Sequence, residues 1–165
     1  MSDPVDLQEL LNAPGTEFPD RPNLPGNRYV YGKLVSMQAM NSRNKGTPGY
    51  HFDVRLTDPG DDWTDADKKA LHDAGFSLAD YQAGLDFWLT KNAMAMLWRF
   101  LESIGFDRSL GLRQTLSLDE KGFPTATTIE KIRGIDIVAK TPMADERGRV
   151  FLNNLENAGG TKKTS

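Results

Sequence analysis

The chain contains no cysteine, so disulfides, thiolate metal sites and a cysteine nucleophile are excluded. Histidine is almost as scarce. His51 and His72 are the only two, in unrelated contexts, which leaves little for imidazole catalysis or a zinc centre. No apolar run approaches the roughly 18 residues that a membrane span needs. The acidic start, Met-Ser-Asp-Pro-Val-Asp, lacks the apolar segment of a secretory signal. The HExxH and GxGxxG signatures are missing, as is the phosphate loop GxxxxGK followed by Ser or Thr. These absences predict a protein that is not an enzyme, holds no cofactor or metal, stays off the membrane and resides in the cytoplasm.

One acidic cluster tempers the metal reading. Asp58, Asp61, Asp62, Asp65 and Asp67 lie close together, and a magnesium-dependent nuclease would use such a set. The EF-hand spacing fails at both its glycine and its glutamate position. A helix start rich in aspartate accounts for most of these residues, because carboxylates suit the positive end of a helix dipole.

What is present fits one soluble domain. A length of 165 residues supports a single core, and two would be tight. The net charge of -3 is small, but its distribution is uneven. Residues 28–55 carry Arg28, Lys33, Arg43, Lys45 and Arg55 against Asp53 alone, whereas residues 58–86 hold eight aspartates against Lys68 and Lys69. A locally basic surface binds polyanions even on an acidic protein.

Residues 1–27 read as an arm. Val5, Leu7, Leu10 and Leu11 suit one short helix, and the prolines and glycines that follow forbid regular structure. Residues 28–38 read as a strand with Tyr29, Tyr31, Lys33, Val35 and Met37 on one face and a bend or bulge at Gly32. Residues 50–57 alternate, with Tyr50, Phe52, Val54 and Leu56 on one side. A basic, flexible loop bracketed by Gly46 and Gly49 joins these two runs. Residues 58–83 form an acidic insertion, with a helix from Asp65 to Ala74 capped by Thr64 and closed by Gly75. Residues 85–89 make a third strand. Thr90 then caps the main helix, whose stripe is Met94, Leu97, Trp98, Leu101 and Ile104, ending at Gly105. Residues 107–126 read as irregular, with a turn of helix near Ser109–Gln114. Residues 135–141 and 149–155 form a second hairpin, and 156–165 a disordered tail.

The predicted fold is mainly β with one main helix, of the α+β class. Five short strands with a helix after the third match an OB-like barrel, a five-stranded Greek-key sheet. The predicted organisation is an arm over 1–27, a domain over 28–155 and a tail over 156–165.

A basic groove with aromatic platforms is the general solution for single-stranded nucleic acid, since every base stacks. The candidate contacts are Arg43 and Lys45 on the loop, Lys33 and Arg55 on the strands, Tyr31 and Tyr50 as ring faces, and Lys140 and Arg149 on the second hairpin. Each has a plainer reading: Tyr50 as a core residue, and the charged residues as solvated edges. Trp63 is expected to anchor the insertion, Trp98 to be core, and Lys91 and Arg99 to lie on the polar side of the helix.

Several phrases carry a resemblance. They are Leu24-Pro-Gly-Asn-Arg-Tyr29, Ser42-Arg-Asn-Lys-Gly46, the run from Phe87 to Gly105, Ile132-Arg-Gly-Ile-Asp-Ile-Val-Ala-Lys140, and Arg147-Gly-Arg-Val-Phe-Leu-Asn-Asn-Leu155. Together they resemble small bacteriophage single-stranded DNA-binding proteins with an OB-like fold, often described only as a domain of unknown function. The resemblance covers roughly residues 24–155. It implies single-stranded DNA binding in phage replication, recombination or repair, with replication or recombination proteins as partners. Arg43, Lys45 and Asn153 match the pattern as site residues, and Lys91 and Gly134 as fold residues. The basic end, Gly-Gly-Thr-Lys-Lys-Thr-Ser, departs from the acidic tail that many such proteins carry. A virion structural or adaptor protein is the rival expectation, and oligomeric state, a homo-oligomer included, stays open.

Overall fold

A computed structural model describes residues 7–14 and 21–161. Its elements are α1 (Leu7–Asn12), β1 (Tyr29–Asn41), β2 (Pro48–Pro59), α2 (Asp65–Asp73), β3 (Gln82–Trp88), α3 (Met94–Ser103), α4 (Leu112–Leu116), α5 (Ala126–Ile132), β4 (Asp136–Lys140) and β5 (Glu156–Gly160). Two short 3-10 turns lie at Leu78–Asp80 and Leu152–Asn154. The protein is a mixed α+β domain built on one five-stranded antiparallel sheet of order β3-β2-β1-β4-β5. The sheet does not close into a barrel. Its two edges approach each other at one backbone hydrogen bond, from Leu155 N–H to the Gly84 carbonyl at 3.1 Å.

Alternation puts Tyr50, Phe52, Val54 and Leu56 of β2 on the inner face, as the pattern predicts. Along β1 the pattern breaks. Leu34 faces Val54, but Ser36 faces Asp53, so one extra residue is accommodated between them. Val35 and Ser36 both turn outward, and Met37 becomes a core residue rather than the neighbour of Tyr31 and Lys33. A second register shift follows Tyr31. There Gly32 lets the strands crowd together, since a Cβ would lie 2.7 Å from the Arg55 carbonyl oxygen.

Helix α3 covers the inner face through Leu97, Phe100 and Leu101. The Phe100 ring stacks on Phe87 and meets Phe52 edge-on, with centroids 5.1 and 5.5 Å away. Thr90 caps the approach, accepting the Ala93 N–H at 3.1 Å. Gly105, at φ 105, ends the helix while Phe106 folds back to the Leu101 carbonyl. Trp98 is only half-buried.

The insertion is fastened to β1. Trp63 is buried and donates its indole N–H to the Tyr29 carbonyl at 2.6 Å. The Tyr29 N–H goes to Asp62 at 3.0 Å, and Arg28 pairs with Asp67 at 3.4 Å. The expected cap and stop of α2 both form, with Thr64 accepting from Asp67 N–H and Gly75 at φ 79.

Two expectations are corrected, on the last hairpin and on the tail, while the end of the arm, whose docking the sequence leaves open, packs on the domain: Leu24 is buried, Tyr81 donates to the Pro22 carbonyl and Thr141 to the Pro25 carbonyl. The arm's earlier part falls partly outside the described residues. Residues 149–155 are not a strand. Leu152 and Leu155 are buried together, a spacing of three that a 3-10 turn satisfies and strand alternation does not. The fifth strand is instead Glu156–Gly160, within the segment expected to be a disordered tail. Beyond the stretch expected to be irregular, Ala126–Ile132 forms a helix that the sequence reading did not assign, started by a Thr125–Thr128 capping box. No helix among the described residues is long and apolar enough to cross a membrane.

Candidate nucleic-acid interface

The basic loop is shorter and better ordered than its composition suggests. Strand β1 runs to Asn41 and β2 starts at Pro48, so six residues make the turn. The Ser42 N–H bonds the Thr47 carbonyl at 2.8 Å, and the Gly46 N–H bonds the Ser42 carbonyl at 3.1 Å. The Ser42 hydroxyl accepts the Thr47 N–H at 2.9 Å. Gly46 takes φ 64, the left-handed conformation such a turn needs. Arg43, Asn44 and Lys45 therefore stand exposed on a braced crown.

Beside this crown lies Trp88. The pairing of Gly49 with Trp88 brings the end of β3 alongside the hairpin, and the Leu89 N–H extends the ladder to the Pro48 carbonyl at 2.8 Å. A Cβ on Gly49 would lie 2.8 Å from the Trp88 ring and 3.1 Å from the Met40 methyl. Gly49, which brackets the loop, has a packing role: it gives the indole room against the strand. Trp88 is half-buried, keeping part of its ring in solvent. Arg43, Lys45, Thr47, Trp88, Thr90 and Ala93 line one open groove of ≈ 470 Å³. Sequence reasoning did not place Trp88 in the site. The signal was its position one residue past the aromatic Phe87, at the strand end facing the basic loop.

The remaining candidates spread along the outer sheet face. Arg55 pairs with Lys33 across β2 and β1, and Lys33 with Asp136 across β1 and β4, so the three share a row. Lys33 forms an ion pair with Asp136 at 2.7 Å. Tyr31 lies half-buried one step further along β1. At the far end Lys140 sits 5.4 Å over the Tyr29 ring. Arg149 is engaged elsewhere, with Asp145 at 2.9 Å and the Phe151 ring at 5.5 Å. Lys91 and Arg99 are exposed, as expected for the polar side of α3 and its approach.

Tyr50 is corrected. It is 3% exposed, and its hydroxyl donates to the Gly122 carbonyl at 2.5 Å. Burial pushes its phenol above the usual range, Arg113 pulls it down and Asp119 raises it further. Its ring faces the core and offers no surface to a base.

The basic track is also interrupted. Between the crown and the Arg55–Lys33 row lie His51, Asp53 and Asp86. The imidazole approaches Asp86 through Nδ1 at 2.5 Å and Asp53 through Nε2 at 3.2 Å. Gln38 donates to Asp53 at 2.9 Å, and Ser36 also bonds it. With its side-chain amide reoriented, Asn154 donates to Asp86 at 3.1 Å. This patch repels phosphates, so the structure holds two basic areas, of which the crown alone combines unpaired cations with an accessible indole among the candidates above.

The aspartates of the insertion are largely occupied with the fold. Asp62 and Asp67 hold β1 and Arg28, and Asp67 closes the cap of α2. Compared with protein-family models and with curated protein sequences, the chain matches none.

Proposed function

We propose that the protein binds single-stranded DNA, largely without sequence preference, through the groove between the 42–47 crown and Trp88. One observation carries this reading: a partly exposed indole flanked by Arg43 and Lys45, on a turn whose backbone is already fixed. Stacking supplies sequence-tolerant affinity of about 1–3 kcal/mol per base. The two cations supply the salt-dependent share by displacing counterions from the phosphates. A braced turn also loses less conformational entropy on binding than a mobile loop.

The wiring of the sheet supports an OB-like reading of the fold. Strand β1 is central, β2 and β4 flank it, and the edges meet at the Leu155–Gly84 hydrogen bond. OB-folds, which are partly open five-stranded Greek-key barrels, bind oligonucleotides with the β2–β3 face and the loops after β1 and β4, and in this sheet the crown is the loop after β1. The resemblance of the sequence phrases to phage proteins favours a role in phage DNA replication, recombination or repair.

The test is fluorescence anisotropy of a labelled oligothymidine of about 30 nucleotides, long enough for several barrel-sized sites. The reading predicts binding that unlabelled single strand competes away and duplex competes poorly. Trp88→Ala should weaken it by about 1–3 kcal/mol, roughly five- to 150-fold, with Trp88→Phe recovering much of the loss. Absence of binding at low salt, or an unchanged affinity in Trp88→Ala, would sink it.

A further inference from the structure

His51 stands on the outer face of β2, paired with Gln38 of β1 on one side and Asp86 of β3 on the other. Both of its ring nitrogens point at carboxylate oxygens. Nδ1 lies 2.5 Å from Asp86 Oδ1, and Nε2 lies 3.2 Å from Asp53 Oδ1. The second oxygen of each carboxylate is taken by neutral donors from different parts of the fold. Asp53 accepts from the Ser36 hydroxyl and the Gln38 amide, both on β1. Asp86 accepts from the reoriented Asn154 amide, at the end of the 3-10 turn that leads into β5. The imidazole is therefore the link between a group held by β1 and a group held by that turn. It rests against Gly84, with 20% of its side chain exposed.

A neutral imidazole carries a single N–H. In either tautomer the bare nitrogen would turn its lone pair toward a carboxylate oxygen, so only the doubly protonated ring satisfies both contacts. Asp53 and Asp86 are the charged groups that face it, and β1 and the 3-10 turn add only neutral Ser36, Gln38 and Asn154. Arg55 and Lys33 lie further along the sheet face, and Arg99 of α3 and Glu156 of β5 line a cavity with Asp86. Among the described residues, however, His51 is the only cation within ion-pair distance of either carboxylate.

We infer that His51 is a proton-operated latch on the outer face. Protonated, it ties β3 and the 3-10 turn to β2 and β1, beside the Leu155–Gly84 hydrogen bond that joins the two sheet edges. The patch then carries one net negative charge. Deprotonated, the ring gives up one contact and the patch carries two. Because the patch separates the crown from the Arg55–Lys33 row, loss of the proton weakens the hold on a strand that spans both basic areas, a consequence that rests on the single-stranded DNA reading above.

The latch is tested without nucleic acid, by following the His51 ring nitrogens of the full chain in long-range proton–nitrogen spectra from about pH 5 to about pH 9. The expected result is a ring protonated at both nitrogens at the acid end. Its loss of a proton should shift the Gly84 and Leu155 amides with the same midpoint. His51→Gln should abolish that shift, and His72→Gln, which alters the exposed histidine of α2, should leave it. A ring that stays singly protonated throughout, or one that titrates without moving those amides, would overturn the proposal. Oligothymidine anisotropy over the same range tests the consequence: affinity should fall roughly two- to fivefold as the ring deprotonates, and His51→Gln should flatten the profile. A flat profile in the wild type, or one that His51→Gln leaves unchanged, would overturn the coupling to DNA. Absence of oligothymidine binding at every pH would instead remove the DNA reading, and the ring spectra would still decide the latch.

Discussion

Gly84 shows how a single missing side chain shapes the outer face. It stands opposite Asp53 on β2, and the His51 ring lies directly over it. A Cβ there would be 2.5 Å from His51 Nε2 and 2.9 Å from the Phe52 carbonyl oxygen. The imidazole cannot swing away freely, because Asp53 and Asp86 hold it from both sides. Gly84→Ala should therefore destabilise the fold by about 1–3 kcal/mol, the usual range for overpacking. In a double-mutant cycle followed by urea denaturation, His51→Ala should recover part of that loss. Full additivity of the two changes would show that the ring is not what fills the space. At this scale the sequence was partly readable. Arg43 and Lys45 stand where expected, on the turn between β1 and β2. Tyr50 does not, because alternation assigns its face and cannot say whether an aromatic on that face reaches solvent. Its hydroxyl is satisfied by the Gly122 carbonyl, a partner 72 residues away that no local pattern announces.

Elements were legible where local chemistry and packing agree. Helix α2 has a threonine cap, acidic first turn and terminal glycine, and it forms as those signals require. Its attachment adds an acid dependence. The Thr64 backbone N–H, with smaller help from the Thr64 hydroxyl and Arg28, holds the Asp67 carboxyl below the usual range. A carboxylate that is easier to ionise in the folded state stabilises the fold above the unfolded range, and that contribution is lost as pH falls through the folded value. Acidification below about pH 4 should loosen α2 from β1, so the amide resonances of Asp65–Asp73 should shift and broaden before those of β2. Simultaneous loss of both would contradict the local account. Helix α5 was hidden by its β-branched residues, Thr127, Thr128, Ile129 and Ile132, which lower helix propensity. Tertiary contacts override that tendency, since Thr128 is fully buried and donates to the Ser117 carbonyl at 3.0 Å.

Across the whole molecule, the strand that ends the sheet was the least visible. Glu156-Asn-Ala-Gly-Gly160 reads as a linker because glycine and asparagine disfavour strands. The structure gives the glycines a purpose. Gly160 passes over the end of α3, where its N–H meets the Ser103 hydroxyl at 3.0 Å and a side chain would collide with the Ser103 carbonyl. This crossing ties β5 to the main helix while β5 pairs with β4. A chain ending at Leu155 should accordingly lose more than about 5 °C in Tm, beyond what a change of 1 kcal/mol produces in a domain of this size. An unchanged Tm would return residues 156–165 to the status of a tail. The same wiring explains why the number of strands could be anticipated and the position of the fifth could not. Pairing between β4 and β5 spans a long connection, and its register depends on α3 rather than on the strand's own residues.

The central claim rests on the crown, and the salt dependence of its double variant tests it most directly. Affinity for oligothymidine would be measured at several salt concentrations for the wild type and for Arg43→Ala with Lys45→Ala. Loss of two phosphate contacts predicts weaker binding and a log–log salt slope shallower by about 1–2 units. Wild-type affinity and an unchanged slope in the double variant would contradict the account and move any nucleic-acid site away from the 42–47 turn.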